Sequence, residues 1–553
     1  MTPASRDRTA ALASPLLVLA PERRLTYDIA IIGGGINGAG IARDAALRGL
    51  SVALFEREDW GAGTTGSSTR MIHGGVRYLL YDIPTTRLSS EDAGRIRRIA
   101  PHITWRIPFL WPLYPGGFFM REATEAFLSA YDAHAQRKGG LRHARLSAAE
   151  ARALEPGLAP EVVGALTLDE WGCDAYRLAA LNALDAHEHG AHVATHTAVV
   201  AVLRSGRDVR GVRVRDSITG AERDVEARVV INAAGPWAPV VAQLADTKLA
   251  IRPGKGIHVT FERRIGNYGM ILEGRDGRTM FLVPHGAETI VGTTDDDYYG
   301  DPAIVDLDIT RDEIDYVIEA AARAMPQAKQ WRPLRAWAGV RNTVFEWGVD
   351  ADDLSRRHEI IEHDSTGASG LISLVGGKLA SYRIQSEEAV DMVLRRLGRS
   401  HAASTTGAVA LPGAEAAPDF VALAHEIPLP PAALERIWRR VGSRIRRVFD
   451  GATPSDLAPV CRSEAVTRAE IRYQVQVEQC RTLEDLFRHA HVGAGSCDGS
   501  DCAAPAAHIM MALLDWTPER TRNELERCRD QRWINRRPVL RGINLAREEL
   551  IRS

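Results

Sequence analysis

Residues 27–59, YDIAIIGGGINGAGIARDAALRGLSVALFERED, constrain this chain more than any other stretch. Ile29, Ala30, Ile31 and Ile32 form an unbroken apolar run, which suits a strand buried on both faces. Gly33, Gly35 and Gly38 follow as GxGxxG. Ala42, Ala45, Ala46 and Leu47 continue at helical spacing, and Gly49 stops the helix. Ser51–Phe55 makes a second buried strand that ends at Glu56. Strand, glycines, helix, strand and acid in register read as the opening unit of an α/β sheet built around a dinucleotide. Gly33 allows the turn out of the strand, Gly35 lets the backbone approach a pyrophosphate, and Gly38 lets helix and sheet pack closely. Free N–H groups at the helix start face the phosphates, and the Glu56 carboxylate accepts from ribose hydroxyls.

The next segment separates the two common dinucleotides. GAGTTGSSTRMIHGGVRYL (Gly61–Leu79) is a long loop of glycines and hydroxyl residues, then basic and aromatic positions. Such a loop wraps a large cofactor with backbone N–H and hydroxyl donors, which favours FAD over NAD. The chain has 553 residues, too many for one hydrophobic core. Its formal net charge of −2 gives no basic field for nucleic acid. Six scattered cysteines point to a reducing compartment, and no apolar run reaches the ~20 residues of a spanning helix. Residues 1–26, with ALASPLLVLAP broken by Pro15, read as an N-terminal tail.

INGAGIARDAALRGLSV followed by IHGGVRYL resembles the FAD-dependent glycerol-3-phosphate dehydrogenases. Further matching segments run in order along the chain: APHI, NAAGPWA, GKGIHV, VGTTDDDY, WAGVRN, SRRHEI and GGKLASYR. The resemblance implies an α/β fold with three parts. A Rossmann-like FAD-binding domain of D-amino-acid-oxidase type is assembled from residues 27–100, 165–250 and 335–403. An antiparallel-sheet substrate domain comprises 101–164 and 251–334. A linker, 404–418, leads to a helical C-terminal domain, 419–553. Cofactor contacts are expected at Gly33, Gly35, Ile36, Asn37, Gly38, Glu56, Arg57, Thr64, Thr65, Ser67, Ser68, His73, Gly74, Gly75, Val200, Ala234, Gly235, Trp237, Asp295, Gly377, Lys378 and Leu379.

The implied reaction oxidises sn-glycerol 3-phosphate to dihydroxyacetone phosphate, with hydride transfer to FAD and electron delivery to a quinone. The protein must then grip a phosphate dianion and take one proton. Arg77, Arg341 and Arg356 are the candidate phosphate ligands, since a guanidinium fork bonds two oxygens. Lys378 and Tyr78 join them. His258, alternating with apolar neighbours in IHVTF, is expected to be the base, with an imidazole titrating near ~6.5; His73 competes with it. Arg77, Arg341 and Lys378 complete the catalytic set. Asp295 bonds the cofactor or orients a catalytic group. Ala380 stands where the family's lysine motif carries a threonine.

The C-terminal part resembles that of the anaerobic catalytic subunits, whose small module carries CxC and a distant CxxxxC able to hold an iron–sulfur cluster through four thiolates. Here Cys461, Cys497 and Cys502 remain within 455–515, but Ser463 occupies the fourth position, so no cluster is expected. WRIPFLWPLYPGGFFM (Trp105–Met120) and the basic run RDQRWINRRPVLRGINLAR are candidate membrane contacts. The expected setting is cytoplasmic, peripheral on the inner membrane face, as a homodimer or beside an electron-transfer subunit. Three readings compete: an oxidase passing electrons to oxygen, an amine or amino-acid oxidase, and a non-catalytic flavoprotein subunit.

Overall fold

The computed structural model describes residues 26–76, 83–115, 117–298, 300, 307–346, 348, 357–400 and 402–552. Two large sheets and a helical C-terminal region make up the molecule. The first sheet has eight strands. Thr26–Ile32 lies between Val52–Phe55 and Glu222–Asn232, parallel to both. Leu371–Gly376 adds a further parallel strand beside Glu222–Asn232. The alternation of Thr26–Ile32 explains why it must be covered twice. Ile29 and Ile31 pack with the helices Ile36–Leu47 and Ala175–Glu188, while Ala30 and Ile32 face Val202, Val212, Val214 and Leu371. Burying each isoleucine contributes about 1.5–3 kcal/mol.

The second sheet has nine strands. At one end, Ile251–Phe261 pairs antiparallel with Pro333–Val344 along nearly its whole length. At the other, Thr104–Leu113 pairs antiparallel with Gly164–Cys173. Residues 165–173 and 335–344, expected in the first domain, therefore sit in this sheet instead, within the strands Gly164–Cys173 and Pro333–Val344. Both have long antiparallel partners, and their sequences carry apolar alternation that suits either sheet equally.

The aromatic run from Trp105 begins in this second sheet. Thr104–Leu113 is a paired strand, with Phe109 and Leu110 fully buried. Phe109 fills a core with Tyr131, Leu168 and Phe281, and Trp105 and Trp111 pack half-buried against it. Residues 404–418 form no free linker. Arg43, itself fully buried, donates to the carbonyls of Thr406 and Val409, and the N–H of Leu411 donates to the carbonyl of Ile99. Beyond them, eight α-helices between Phe420 and Arg552 pack around one two-stranded sheet, Pro459–Cys461 with Val466–Thr467.

Candidate functional site

A cavity of about 420 Å³ runs from the glycine loop to the second sheet. Gly33 opens it with φ +104°, a conformation that favours glycine. A Cβ at Gly38 would stand 1.9 Å from the Gly33 carbonyl oxygen, so only glycine lets the helix start this close to the strand. The helix has no side chain at its N-cap Gly35 bonding back. Thr65 Oγ1 accepts from the Ile36 N–H at 3.0 Å. Glu56 closes the far side: its carboxylate accepts from the N–H of Gly34 at 2.6 Å and of Glu58 at 2.9 Å. Burial raises its pKa against those two bonds. Arg57 lies over the Trp237 ring at 4.2 Å.

The expected residues gather around this one cavity. Gly33, Gly35, Ile36, Asn37, Glu56, Arg57, Thr64, Thr65, Ser67, Ser68, His73, Ala234, Gly235, Trp237, Gly377, Lys378 and Leu379 line the cavity, together with His258 and Arg341. Gly38 sits behind the turn, and Gly74 and Gly75 behind His73. Asp295 is also behind the wall, ion-paired to Arg341. Val200 is displaced from the lining, and Val199 takes the place. A bulge between Val199 and Ala201 shifts the strand's register, which periodicity cannot reveal. Arg77, Tyr78 and Arg356 lie outside the described residues.

His258 is 2% exposed and sits opposite Trp337 across the strands, their rings stacked at 5.2 Å. Its Nε2 hydrogen-bonds the Thr69 hydroxyl at 2.9 Å, and its Nδ1 has no hydrogen-bond partner among the described residues. The expected value near 6.5 does not hold. Burial first, then the guanidinium groups of Arg341 and Arg70, pushes this imidazole down to about 3, so it is neutral throughout the physiological range. Arg341 also donates to Thr293 Oγ1 and the Thr294 carbonyl, both at 3.4 Å.

Sequence reasoning missed Thr69, Phe281, Thr293 and Asn342, which also line the cavity. Thr69 had a signal, as the last hydroxyl of its loop. Phe281 had none, being one apolar residue in an apolar strand. His73 is set by the turn behind it: Gly75 N–H donates to His73 Nδ1 at 3.1 Å, and Gly74 N–H to the buried Glu170 at 3.2 Å.

The cavity fits FAD on its own polar atoms. Asn37 Oδ1, Trp237 Nε1 and His258 Nδ1 are buried on its wall without partners among the described residues, as a polar ligand requires. The cysteine region does not fit a four-thiolate cluster. Cys461 Sγ lies 3.4 Å from Ser463 Oγ, and a Cβ at Gly495 would meet that same hydroxyl at 2.3 Å. The loop carrying Cys497 and Cys502 thus approaches a hydroxyl where a fourth thiolate would be needed. A serine alkoxide forms far less readily than a thiolate. Among the described residues no group of three or more His, Cys, Asp or Glu is arranged to hold a metal ion, and no helix is long and apolar enough to cross a membrane.

Residues 28–383 match the family described as FAD dependent oxidoreductase, and residues 404–521 the C-terminal domain of alpha-glycerophosphate oxidase. The chain is 34% identical over 530 residues to one of the subunits of the anaerobic glycerol-3-phosphate dehydrogenase of Escherichia coli, covering 95% of each chain. It is 31% identical to glycerol-3-phosphate dehydrogenase 2 of Mycobacterium tuberculosis, covering 89% of this chain and 85% of that one. In fold it is similar to the glycerol-3-phosphate dehydrogenase from Bacillus halodurans complexed with FAD, with a TM-score of 0.75 at 24% identity over 94% and 96% of the two chains. With a FAD cradle at its front and relatives of this kind along nearly its full length, the chain belongs to the FAD-dependent glycerol-3-phosphate dehydrogenase family.

Proposed function

We propose that this protein oxidises sn-glycerol 3-phosphate to dihydroxyacetone phosphate and passes the electrons to a quinone. The observation that carries this reading is that Arg341, Lys378 and His258 all line the FAD cavity. FAD, when bound, supplies the acceptor for the substrate's C2 hydride. The chain's own work is to hold an anion and receive a proton. Arg341, oriented by Asp295, presents a fixed guanidinium, and Lys378 adds a point charge. An amino-acid carboxylate needs only one such clamp, whereas two cations suit a phosphate dianion. His258 is neutral and keeps Nδ1 available for the hydroxyl proton. A dianion held by Arg341 offsets the positive field that depresses this imidazole, so substrate binding itself raises its basicity.

The quinone rests on family likeness and one further feature. A cavity of about 280 Å³ adjoins the first and shares Ser67, Trp237 and Gly339 with it. Leu249, Ile251, Pro253 and Val340 give it an apolar wall suited to a quinone ring. The roles given to Arg77, Tyr78 and Arg356, the peripheral membrane setting and the pairing with a second subunit belong to the same proposal.

Anaerobic mixing with glycerol 3-phosphate tests the core of it: the ~450 nm flavin band should bleach. Arg341→Ala should cost ~2–4 kcal/mol of transition-state binding, or roughly 30- to 1000-fold in kcat/KM. An unbleached flavin, or an unchanged kcat/KM, rejects the assignment. Peroxide formed stoichiometrically under air would instead identify an oxidase.

A further inference from the structure

The C-terminal domain reaches into the cofactor cradle from behind. Glu56 and Arg57 line the cavity, and the turn that carries them continues through Glu58, Asp59 and Trp60 to Gly61. This turn folds back on the glycine loop. Gly61 N–H donates to the Gly34 carbonyl at 3.0 Å, and the Trp60 ring fills the space where a Gly34 side chain would stand. Asp59 is 1% exposed and points away from the cavity. Its partner comes from the other end of the chain, 430 residues later. His489 Nε2 donates to Asp59 Oδ1 at 3.1 Å. The opposite ring nitrogen bonds Glu478 at 3.2 Å, and Glu478 in turn takes both terminal nitrogens of Arg177 from the first domain.

One short helix, Leu483–Ala490, grips the turn at further points. Arg488 approaches Asp59 at 3.7 Å and Glu58 at 3.9 Å. Asp485 accepts from His196 Nε2 at 2.9 Å, and the His196 backbone N–H donates to the Glu58 carbonyl at 2.7 Å. Asp59, Arg177, His196, Glu478, Asp485 and His489 are all buried in this seam. Buried charges are retained only when paired, and removing one partner is costly. Nothing in the oxidation of an alcohol requires these residues. Their shared property is that they touch, directly or through a neighbour, the turn bearing Glu56 and Arg57.

We propose that His489 is a positioning residue for the cofactor, and that its bridge from Glu478 to Asp59 couples docking of the C-terminal domain to FAD binding. The geometry of a cradle depends on its supporting shell, and a carboxylate displaced by ~1 Å no longer meets its partner squarely. Coupling of this kind is reciprocal: whatever tightens FAD must tighten the seam, by the same factor.

The full-length chain, stripped of flavin and titrated with FAD while flavin fluorescence is followed, provides the test. His489→Ala and Asp59→Asn should each raise the Kd for FAD about tenfold. The double variant should be little worse than either single one, because both break the same bridge. Arg444→Ala is the control. It removes a different contact between the same two regions, the 2.7 Å pair with Glu188, which lies away from the cavity lining. That variant should leave the Kd within about twofold of the parent. Thermal melting of the flavin-free proteins separates a lost fold from a lost cofactor. If His489→Ala gives no folded chain, Asp59→Asn against the control decides alone. A Kd unchanged in Asp59→Asn, or raised equally by Arg444→Ala, overturns the proposal.

Discussion

His258 and His489 are each 2% exposed, yet their pKa values are displaced in opposite directions. His258, on the cavity wall, faces Arg341 and Arg70 and is held neutral. His489, in the seam behind the cavity, loses to burial as well, but the Cys480 sulfur and the Asp59 carboxylate outweigh it and its pKa lies well above the ordinary value. Burial pushes both rings the same way, so the sign of the neighbouring charge decides. The difference divides labour across a few residues. A neutral imidazole can take a proton from a substrate, and an imidazolium can tie two carboxylates together. The wall is built to react, the seam to hold.

Breaking each side separately sharpens that division. On the wall, His258→Asn removes the proposed proton acceptor and should lower kcat/KM by ~10²–10⁴-fold. Flavin absorbance of the purified variant should be intact. Activity within a few-fold of the parent would transfer the role to His73. In the seam, Glu478→Gln leaves Arg177 buried without its counter-charge and should cost about 3–5 kcal/mol of unfolding free energy, read by urea denaturation. A loss below about 1 kcal/mol would mean that water enters the seam and that the pair is no fixed joint.

The two regions also differ in how far the sequence exposes them. The wall was legible because its residues are close in sequence and obey a local rule. Glycine spacing, an acid about twenty positions on, and a hydroxyl-rich loop each follow from what a dinucleotide needs, and Gly33, Glu56, Thr65 and Lys378 all reach one cavity. Where the wall defied expectation, the cause was local and invisible to periodicity, as in the bulge that exchanges Val200 for Val199. The pKa of His258 was misjudged because the burial that chiefly depresses it, and the guanidinium groups that add to this, come from other segments of the chain. The seam was illegible altogether. Arg177 and Glu478 are 301 residues apart, and each alone looks like an ordinary surface charge. Residues 404–418 had a linker's composition, and only the fold shows Arg43 fastening them. Assigning Gly164–Cys173 to one of two sheets needed its partner, since apolar alternation names a strand and not its neighbour.

The effect that is smallest per group sets the histidines held neutral by burial, of which only His258 lines the cavity, against those the seam holds charged. His102, His258 and His285 are pushed down to about 3 and His192 to about 4, in each case chiefly by burial. Their folded values lie below the ~6.5 of an unfolded chain, so below that pH the unfolded state binds more protons and stability falls as pH falls. The limiting slope is ~1.4 kcal/mol per pH unit for each histidine. His196 and His489 behave oppositely: raised in the fold, their contribution is complete below ~6.5 and is lost as pH rises through their folded values. The seam carboxylates Glu478 and Asp485 are depressed despite burial, held by Arg177 and His196 respectively, so their contribution is lost only as pH drops below the ordinary carboxylate range. Between about pH 6.5 and about 5 the neutral histidines, joined by His363, set the trend, and the buried carboxylates Glu56, Asp92 and Glu288, raised chiefly by burial, oppose it only in part. Urea midpoints at saturating FAD should fall steadily through that window. His102→Phe, which keeps a ring against Trp438 and removes two ring nitrogens with no partner among the described residues, should flatten the slope by about one histidine's share. Stability that is level or rising from about pH 7 to about 5 would show that these rings are protonated in the fold, and the neutral state assigned to His258 would fall with them.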